Sequence, residues 1–265
     1  MFPPLRTMHS RLLSRTTIRL YRPFSVSHPL YKPDPPPQSK SPLAPIGVAA
    51  ALDRNSVPRP KVLQEFALTD RVGIVTGGNR GIGLEIALAL SEAGARSIYC
   101  FDLPAEPSED FGKTRAYVER LGEGRRLVYV SADVRDREDI LKKVKEIGDR
   151  EGRLDVGVAA AGILKKEINC WEYPAEQFKE VYDVNVNGVL WTAQAVGQQM
   201  RRFGNGGSII LMASVSGSIT NRTKPHLLET WSNLNALGRI GRPDELRGVA
   251  AWLASDASSF CTGSE

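Results

Sequence analysis

A glycine-rich segment and one acidic residue are the part of the sequence whose residue types suit a specific chemistry. The segment 77–83 has the sequence GGNRGIG, and Asp102 follows it at the end of an apolar run. Glycines let the backbone turn tightly and approach a pyrophosphate, which then lies at the positively polarised start of the next helix. A carboxylate at the spacing of Asp102 can accept hydrogen bonds from the ribose of an adenosine. The pattern therefore predicts a site for a dinucleotide cofactor.

The residues around this segment predict the elements that would position it. The run 72–76 is short, apolar and rich in β-branched residues, which indicates a buried strand. After the glycines, apolar residues recur with helical spacing up to Gly94, and the run 97–101 predicts a second strand that ends at Asp102. The alternative is a glycine-rich turn in another kind of α/β protein. The flanking strand, helix and acid together favour the dinucleotide site.

Two charged residues bear on which cofactor would bind. Asp102 would repel a 2′-phosphate on the adenosine ribose and so favours NAD(H). Arg80, inside the glycine-rich segment, could instead pair with that phosphate, which leaves NADP(H) open. We favour NAD(H) because of the position of the acid.

Beyond the glycines, the chain resembles the short-chain dehydrogenase/reductase family. The spacing Gly-x-x-x-Gly-x-Gly is the family's variant of the turn, and Asp133-Val134 matches its Asp-Val pair at the adenine. The segment 159–162 lies where the family has an Asn, but this chain has Ala160 there, so the hydrogen bonds of that Asn are missing. Three more apolar runs predict strands at 127–130, 155–160 and 207–212.

The resemblance covers residues 68–221 and implies an α/β fold with a Rossmann-like, doubly wound parallel sheet in three layers. It also implies an NAD(P)-dependent oxidoreductase. The residues predicted to bind the cofactor are Gly77, Asn79, Arg80, Gly81, Ile82, Gly83, Asp102, Asp133, Val134, Ala160 and Gly162.

The catalytic residues that the resemblance implies are present only in part. Asn185 matches the family's structural and catalytic Asn, and Ser214 aligns with its catalytic Ser. In the family, a Tyr-x-x-x-Lys motif follows the Ser. The tyrosinate takes the alcohol proton while hydride moves to the nicotinamide, so the pKa of the Tyr must fall from about 10 toward neutrality. The motif does not occur in this sequence, whose last Tyr is Tyr182 and whose last Lys is Lys224.

The sequence around the expected motif predicts an internal deletion. After Lys224 the chain passes to a segment at 237–246 that resembles a later part of the family, so we place the deletion after about residue 222 and a truncation at residue 265. The sheet would then be incomplete in its C-terminal half. Its fifth strand would be an exposed edge prone to aggregation, and the helix at 243–254 would lack the strands that it should cover. We therefore expect a product that is marginally stable, partly molten or held by a partner.

Other residues could in principle replace the missing base. His226 follows Ser214 at a suitable spacing, and its unperturbed pKa suits base catalysis. A loop histidine without a catalytic role is the favoured interpretation, and a structural role is favoured for Tyr182.

Three functions remain open from the sequence. The first is an oxidoreductase similar to fungal sugar-alcohol dehydrogenases, which interconvert polyols and ketoses such as arabinitol, sorbitol or mannitol with ribulose, xylulose, sorbose or fructose, with activity impaired or absent here. The second is a non-catalytic remnant that binds a dinucleotide or a partner. The third is a truncated or mis-spliced product without an independent role. The family's members are commonly homo-oligomers, but the helix of one usual interface is among the missing parts.

The first 60 residues differ from the rest in composition. Six basic side chains and no acidic one lie in residues 1–33, and twelve of the 17 prolines lie in residues 1–60. We interpret residues 1–24 as a mitochondrial targeting peptide, which places the protein in the matrix, with a cytoplasmic location as the alternative. We interpret residues 25–60 as a proline-rich, semi-extended linker and residues 61–265 as the dinucleotide-binding domain.

Composition excludes several other classes of protein. Outside residues 1–33, 29 basic residues face 30 acidic ones, which argues against a nucleic-acid-binding protein. The three cysteines are far apart, so neither a disulfide framework nor a zinc site is indicated. No apolar run approaches the roughly 18 residues that would span a membrane. The partner that the family resemblance implies is a small-molecule substrate, a polyol or a ketose.

Overall fold

Five parallel strands form the central sheet in the order β3-β2-β1-β4-β5. The computed structural model describes residues 47–165, 169–214 and 227–263. The strands are β1 (Val72–Thr76), β2 (Ser97–Asp102), β3 (Arg126–Ser131), β4 (Val156–Ala159) and β5 (Ser208–Leu211). The sequence predicted all of them, with ends that differ by one residue at β3, β4 and β5.

Helices cover both faces of this sheet. On one face lie α3 (Gly81–Glu92), α4 (Glu109–Arg120) and α9 (Arg247–Ala254), and on the other lie α5 (Arg137–Glu151) and α7 (Gly188–Phe203). The remaining helices are α1 (Gly47–Leu52), α2 (Val62–Glu65), α6 (Ala175–Tyr182) and α8 (Leu227–Leu234). A π-turn at Asp183–Asn187 joins α6 to α7, and 3₁₀ turns lie at Cys170–Glu172, Pro243–Leu246 and Asp256–Ser258. The predicted three-layer, doubly wound arrangement is confirmed.

The central strands are continuously apolar because both of their faces are covered. All five residues of β1 are buried, and β2 is buried up to Phe101. One core lies between the sheet and α3, α4 and α9, and includes Leu90 and Phe111. In β5 the burial alternates between half-buried and exposed residues, so this strand has less cover than the others.

The C-terminal helix has more cover than the sequence suggested. We expected the segment 243–254 to lack strands to pack on, but its α-helical part, α9, packs against α3 and β5. Its small residues Ala250 and Ala254 allow this close approach and are 3% and 0% exposed. The opposite side of α9, with Val249 and Trp252, remains partly exposed. The prediction of an uncovered helix was therefore wrong for one face of α9.

The N-terminal segments are only partly described. The proposed targeting peptide and most of the linker lie in residues 1–46, outside the described residues. Within the predicted linker, residues 47–52 form the helix α1 instead of a semi-extended segment. Their sequence GVAAAL contains no proline and three alanines, the best helix former, which explains the difference.

A network of charged side chains closes the end of the sheet where β2 and β3 begin. Glu151, at the end of α5, accepts hydrogen bonds from Arg126 (2.7 Å), from Arg96 (3.2 Å) and from the hydroxyl of Tyr99 (2.5 Å). Its side chain is 4% exposed. Burial, and then the hydrogen bond to Glu151, raises the pKa of Tyr99, which therefore remains a neutral donor at physiological pH.

Replacing Glu151 should destabilise the fold. The substitution Glu151→Ala removes the acceptor of two arginines and a buried tyrosine, and we expect a loss of about 2–3 kcal/mol in the free energy of unfolding. Asp149 on the same helix forms ion pairs with Lys145 and Arg202, but its side chain is 41% exposed. Asp149→Ala is therefore the matched control and should lower the urea concentration at the midpoint of unfolding far less. Urea denaturation followed by circular dichroism measures both. Equal shifts for the two variants would contradict the structural role given to Glu151.

Candidate functional site

The topology places one crevice at the carboxyl end of the sheet. From β1 the chain proceeds outward to β2 and β3, and it then crosses back to place β4 on the other side of β1. The connections that leave β1 and β4 therefore diverge in opposite directions. In open α/β sheets, ligands bind in the crevice at this switch point. The segment 77–83 leaves β1 at this position.

Two positions of this segment require glycine, because a side chain at either one would collide with a neighbour. Gly77 has φ +70°, and a Cβ atom on it would lie 2.8 Å from the Cα atom of Ala161. A Cβ atom on Gly83 would lie 2.1 Å from the carbonyl oxygen of Gly77, so the first turn of α3 packs directly on the loop. Both residues are needed because their neighbours leave no space for a side chain.

Gly81 differs, because the space beside it is open. It has φ +57°, and a Cβ atom built on it would meet nothing within 4 Å. This open surface lies at the first residue of α3, a helix of 12 residues whose free N–H groups and dipole favour an anion. The loop therefore fits the pyrophosphate of a dinucleotide. Arg80, directly before α3, and Ile82, in its first turn, are both exposed.

Asp102 connects the glycine loop to the end of β2. Its carboxylate accepts a hydrogen bond from the backbone N–H of Asn79 (3.1 Å) and another from the N–H of Leu103 (2.9 Å). Asp102 is half-buried, so its carboxylate has a defined position while one side remains accessible. The structure thus brings two of the predicted cofactor residues, Asn79 and Asp102, into direct contact.

Ser108 is a residue of this site that sequence reasoning missed. The side-chain oxygen of Asn79 accepts a hydrogen bond from the N–H of Ser108 (2.8 Å), and the hydroxyl of Ser108 donates to the carbonyl oxygen of Asn79 (2.9 Å). The same hydroxyl accepts from the N–H of Phe111 (3.1 Å) and so caps α4. A serine followed by two acidic residues is the usual start of a helix, and that signal could have identified the cap but not its contact with Asn79.

Asp133 and Val134 follow β3 and are occupied by neighbours within the protein. The carboxylate of Asp133 accepts three hydrogen bonds from the Arg135 guanidinium, at 2.6–2.9 Å, and one from its backbone N–H at 2.9 Å. The side-chain hydrogen bonds of Arg135 lower the pKa of Asp133. Val134 is 7% exposed and packs against Gly188, where a Cβ atom would lie 2.7 Å from it. The described contacts give both residues a structural role.

Asn185 holds the loop that follows β4. Its side-chain oxygen accepts from the N–H of Ile163 (2.8 Å), and its amide nitrogen donates to the carbonyl oxygen of Ile163 (2.9 Å). Asn185 lies in the π-turn between α6 and α7, a distortion that is frequent at functional sites. The N–H of Ala161 also donates to the hydroxyl of Thr76 (3.3 Å). The loop thus has side-chain support although Ala160 cannot supply any.

Ser214 lies beyond the end of β5, on the same edge of the sheet. Met212, two residues before Ser214, donates its N–H to the carbonyl oxygen of Ala159 (3.0 Å), which extends the pairing of β5 with β4 toward the crevice. Ser214 and Gly162 are both exposed. His226 and the start of the predicted deletion lie in residues 215–226, outside the described residues. Tyr182 stacks on Phe178 with ring centroids 6.1 Å apart.

The described part of the chain shows neither a metal-binding group of side chains nor a membrane-spanning helix. No set of three or more His, Cys, Asp or Glu residues in it is arranged to hold a metal ion. No helix among the described residues has both the length and the apolar character needed to cross a bilayer. The glycine loop, Asp102 and the switch point together define a nucleotide-binding α/β protein.

Comparison with known proteins identifies the family. The model of the short chain dehydrogenase family matches residues 71–226, and the chain belongs to this family of oxidoreductases. The sorbose reductase sou1 of Schizosaccharomyces pombe is 29% identical over 258 residues, which cover 76% of this chain and 94% of that protein. A "Probable NADP-dependent mannitol dehydrogenase" of Yarrowia lipolytica is 27% identical, with 84% of this chain and 96% of that protein covered.

A solved structure confirms the fold. The crystal structure of a short-chain type dehydrogenase/reductase from Mycobacterium marinum superposes with a TM-score of 0.68 at 29% identity, over 76% of this chain and 94% of that chain. The relatives thus include sugar and polyol oxidoreductases, as the resemblance implied.

Adding one methyl group at Gly83 should disrupt the loop. In Gly83→Ala the new carbon would collide with the backbone of Gly77, and we expect a loss of about 2–3 kcal/mol in stability. Gly112, inside α4, has nothing within 4 Å of its Cβ position, so Gly112→Ala is the control and should stabilise by about 0.5–1 kcal/mol. Thermal unfolding measures both effects. A Gly83→Ala variant as stable as the parent would contradict the close packing of α3 on the loop.

Proposed function

We propose that this chain is a nicotinamide dinucleotide-binding protein of the short-chain dehydrogenase family, related by ancestry to polyol–ketose oxidoreductases, with weak or absent catalytic activity. The observation that carries the proposal is the contact between Asp102 and the N–H of Asn79. It places a carboxylate beside the glycine loop, where the ribose of an adenosine would bind.

The cofactor half of the site supports this proposal through three groups. The open face of Gly81 and the start of α3 would accept the pyrophosphate. The accessible side of Asp102 would accept hydrogen bonds from the ribose hydroxyls and would repel a 2′-phosphate, which favours NAD(H). When bound, the dinucleotide would supply the nicotinamide ring that exchanges hydride with a substrate.

The proposed cofactor preference has one competing feature. Arg80 is exposed beside the same loop and could pair with a 2′-phosphate, and the Yarrowia lipolytica relative is named as NADP-dependent. We propose NAD(H) as the preferred cofactor, because Asp102 is held in place by two backbone N–H groups whereas Arg80 extends from the surface.

The residues expected near the substrate support a common ancestry with polyol–ketose oxidoreductases more than they support catalytic activity. Two relatives are named as a sorbose reductase and a mannitol dehydrogenase, so the proposed substrate class is a polyol or its ketose. Ser214 would hold the substrate oxygen, and Asn185 would maintain the loop beside it. The sequence has no tyrosine after Tyr182, and therefore none that follows Ser214. The chain thus lacks the tyrosinate that would accept the alcohol proton.

The extent of the alignment supports an internal deletion. The alignment to the sorbose reductase runs over 258 residues but covers 76% of this chain, about 200 residues, which is what a gap within this chain would produce. The two alternatives to an impaired enzyme are a non-catalytic dinucleotide- or partner-binding remnant and a truncated product without an independent role. Titration of NADH into the purified chain separates a remnant that binds the dinucleotide from an inert product, because the inert product should fail to bind.

The charge of Asp102 should determine the cofactor preference. Asp102→Asn keeps an acceptor for the N–H of Asn79 but removes the negative charge, so the ratio of NADPH to NADH affinity should rise about tenfold or more. Arg80→Ala is the companion variant and should leave NADH binding within about twofold. Quenching of tryptophan fluorescence or calorimetry measures the affinities of the parent chain and of both variants for NADH and for NADPH. A parent chain that prefers NADPH and loses that preference in Arg80→Ala would overturn the assignment of NAD(H).

Turnover should be absent or very slow although the cofactor binds. With NAD(H) or NADP(H) and arabinitol, sorbitol, mannitol or the matching ketoses, we expect rates at least about a hundredfold below those of an intact relative, because general base catalysis contributes roughly that factor or more. The Schizosaccharomyces pombe sorbose reductase is the positive control for the assay. Rates comparable with that enzyme would contradict the proposal that the chain lacks a proton acceptor.

A further inference from the structure

The outer edge of β5 is the least covered part of the sheet. Among the described residues, β5 pairs with β4 on one side, and no strand pairs with its other side. Its sequence is SIIL, without charge or proline. Charged residues and prolines are what natural proteins use to protect a sheet edge, so β5, which has neither, is open to pairing with another strand.

The hydrogen bonds to β4 show which backbone groups face outward. Ser208 and Met212 donate their N–H groups to the carbonyl oxygens of Asp155 and Ala159. Because successive residues of a strand alternate, Ile210 is the other residue directed at β4. The N–H and C=O groups of Ile209 and Leu211 are therefore directed away from the sheet. They form a short, regular set of donors and acceptors along the edge.

A groove beside this edge offers space for an additional strand. It has a volume of about 680 Å³ and lies between β5 and the segment 253–263, which comprises the end of α9 and the residues after it. Its charged residues are paired with each other, Arg71 with Asp256 at 2.6 Å and Arg153 with Asp155 at 2.8 Å. The groove thus offers no excess charge that would select an acidic or a basic partner. It suits a neutral, apolar strand.

We propose that a second copy of this chain occupies the edge, with the two β5 strands paired antiparallel about a twofold axis at Ile210. In this register Ile209 of each copy faces Leu211 of the other, and each such pair exchanges both of its N–H···O bonds. The outward groups of Ile209 in one copy are thus satisfied by those of Leu211 in the other copy, and the reverse.

The side chains around the edge support the same partner. Ile209 and Leu211 are 41% and 52% exposed on one face of the sheet. Val249 and Trp252 of α9, which packs against β5, are also partly exposed. Twofold pairing would bring these apolar side chains of one copy close to those of the other. The apolar surface buried in this way would stabilise the dimer in addition to the backbone hydrogen bonds.

The first test measures association of the full chain. Analytical ultracentrifugation should show a concentration-dependent dimer, and Ile209→Lys should raise its dissociation constant about tenfold or more, because a charge at an edge opposes pairing. Leu190, on α7, is similarly exposed at 47%, so Leu190→Lys is the matched control and should leave the constant unchanged. Circular dichroism establishes that both variants remain folded.

The second test addresses the register. With Cys170 and Cys261 replaced by Ser, Ile210→Cys should form a disulfide-linked dimer on mild oxidation, because paired residues on the axis have Cα atoms about 4.5 Å apart, within the disulfide range of about 4.4–6.8 Å. Ile209→Cys is the control. Its equivalents are offset by two residues and lie more than about 7 Å apart, so it should not cross-link.

Each result decides for or against the proposal. Loss of the dimer in Ile209→Lys alone, with cross-linking at position 210 alone, supports it. A chain that stays monomeric up to about 100 µM overturns it. A dimer that persists in Ile209→Lys also overturns it. A dimer that Leu190→Lys dissociates overturns it as well and places the contact on α7. NADH titration is independent of these measurements, so failure of the proposed function would leave the result interpretable.

Discussion

The hydrogen bond from the N–H of Asn79 to the carboxylate of Asp102 is the contact on which the nucleotide site depends. It joins the loop after β1 to the end of β2, in addition to the backbone hydrogen bonds from Gly77 and Gly78 to the carbonyl oxygen of Phe101. Ser108 reinforces the arrangement from α4 through its two hydrogen bonds to Asn79. The backbone and side chains of Asn79 and Ser108, with the carboxylate of Asp102, thus position the loop, the acid and the next helix together.

The two ends of the sheet have different roles. At one end, the buried carboxylate of Glu151 binds two partly exposed arginines and the hydroxyl of Tyr99, which fixes the positions of β2, β3 and α5. At the other end, the backbone of Gly81 faces open space, and the carboxylate of Asp102 is only half-buried. Stability and binding are therefore separated along the strands. This separation is common in α/β proteins, because the loops at the carboxyl ends can vary without disturbing the core.

The two sides of the sheet also differ. Around β1, helices cover both faces and every residue is buried, whereas β5 has an open edge with exposed Ile209 and Leu211. The complete side of the sheet contains the residues proposed to hold the adenosine. The open side is next to Ser214, where the substrate chemistry of the family would take place. The proposals of cofactor binding without efficient turnover, and of self-association through β5, both follow from this asymmetry.

Much of the fold and of the cofactor loop could be predicted from sequence, because those signals are local. The apolar runs predicted the strands, and the glycine spacing with Asp102 predicted the loop between β1 and α3. The targeting peptide at residues 1–24 and the cofactor preference stay predictions. The uncovered C-terminal helix was wrongly predicted, because its cover depends on the close approach of Ala250 and Ala254 to α3 and β5, which no local pattern reveals.

By itself, the sequence determined the family, the order of strands and helices, and which residue types are available near the crevice. Only the tertiary structure decided which of those residues meet. It paired Asp102 with Asn79, engaged Asp133 with Arg135, and added Ser108 to the site. The physical reason is that periodicity and turn chemistry act over a few residues, whereas these contacts depend on how distant segments are brought together when the sheet and its helices pack.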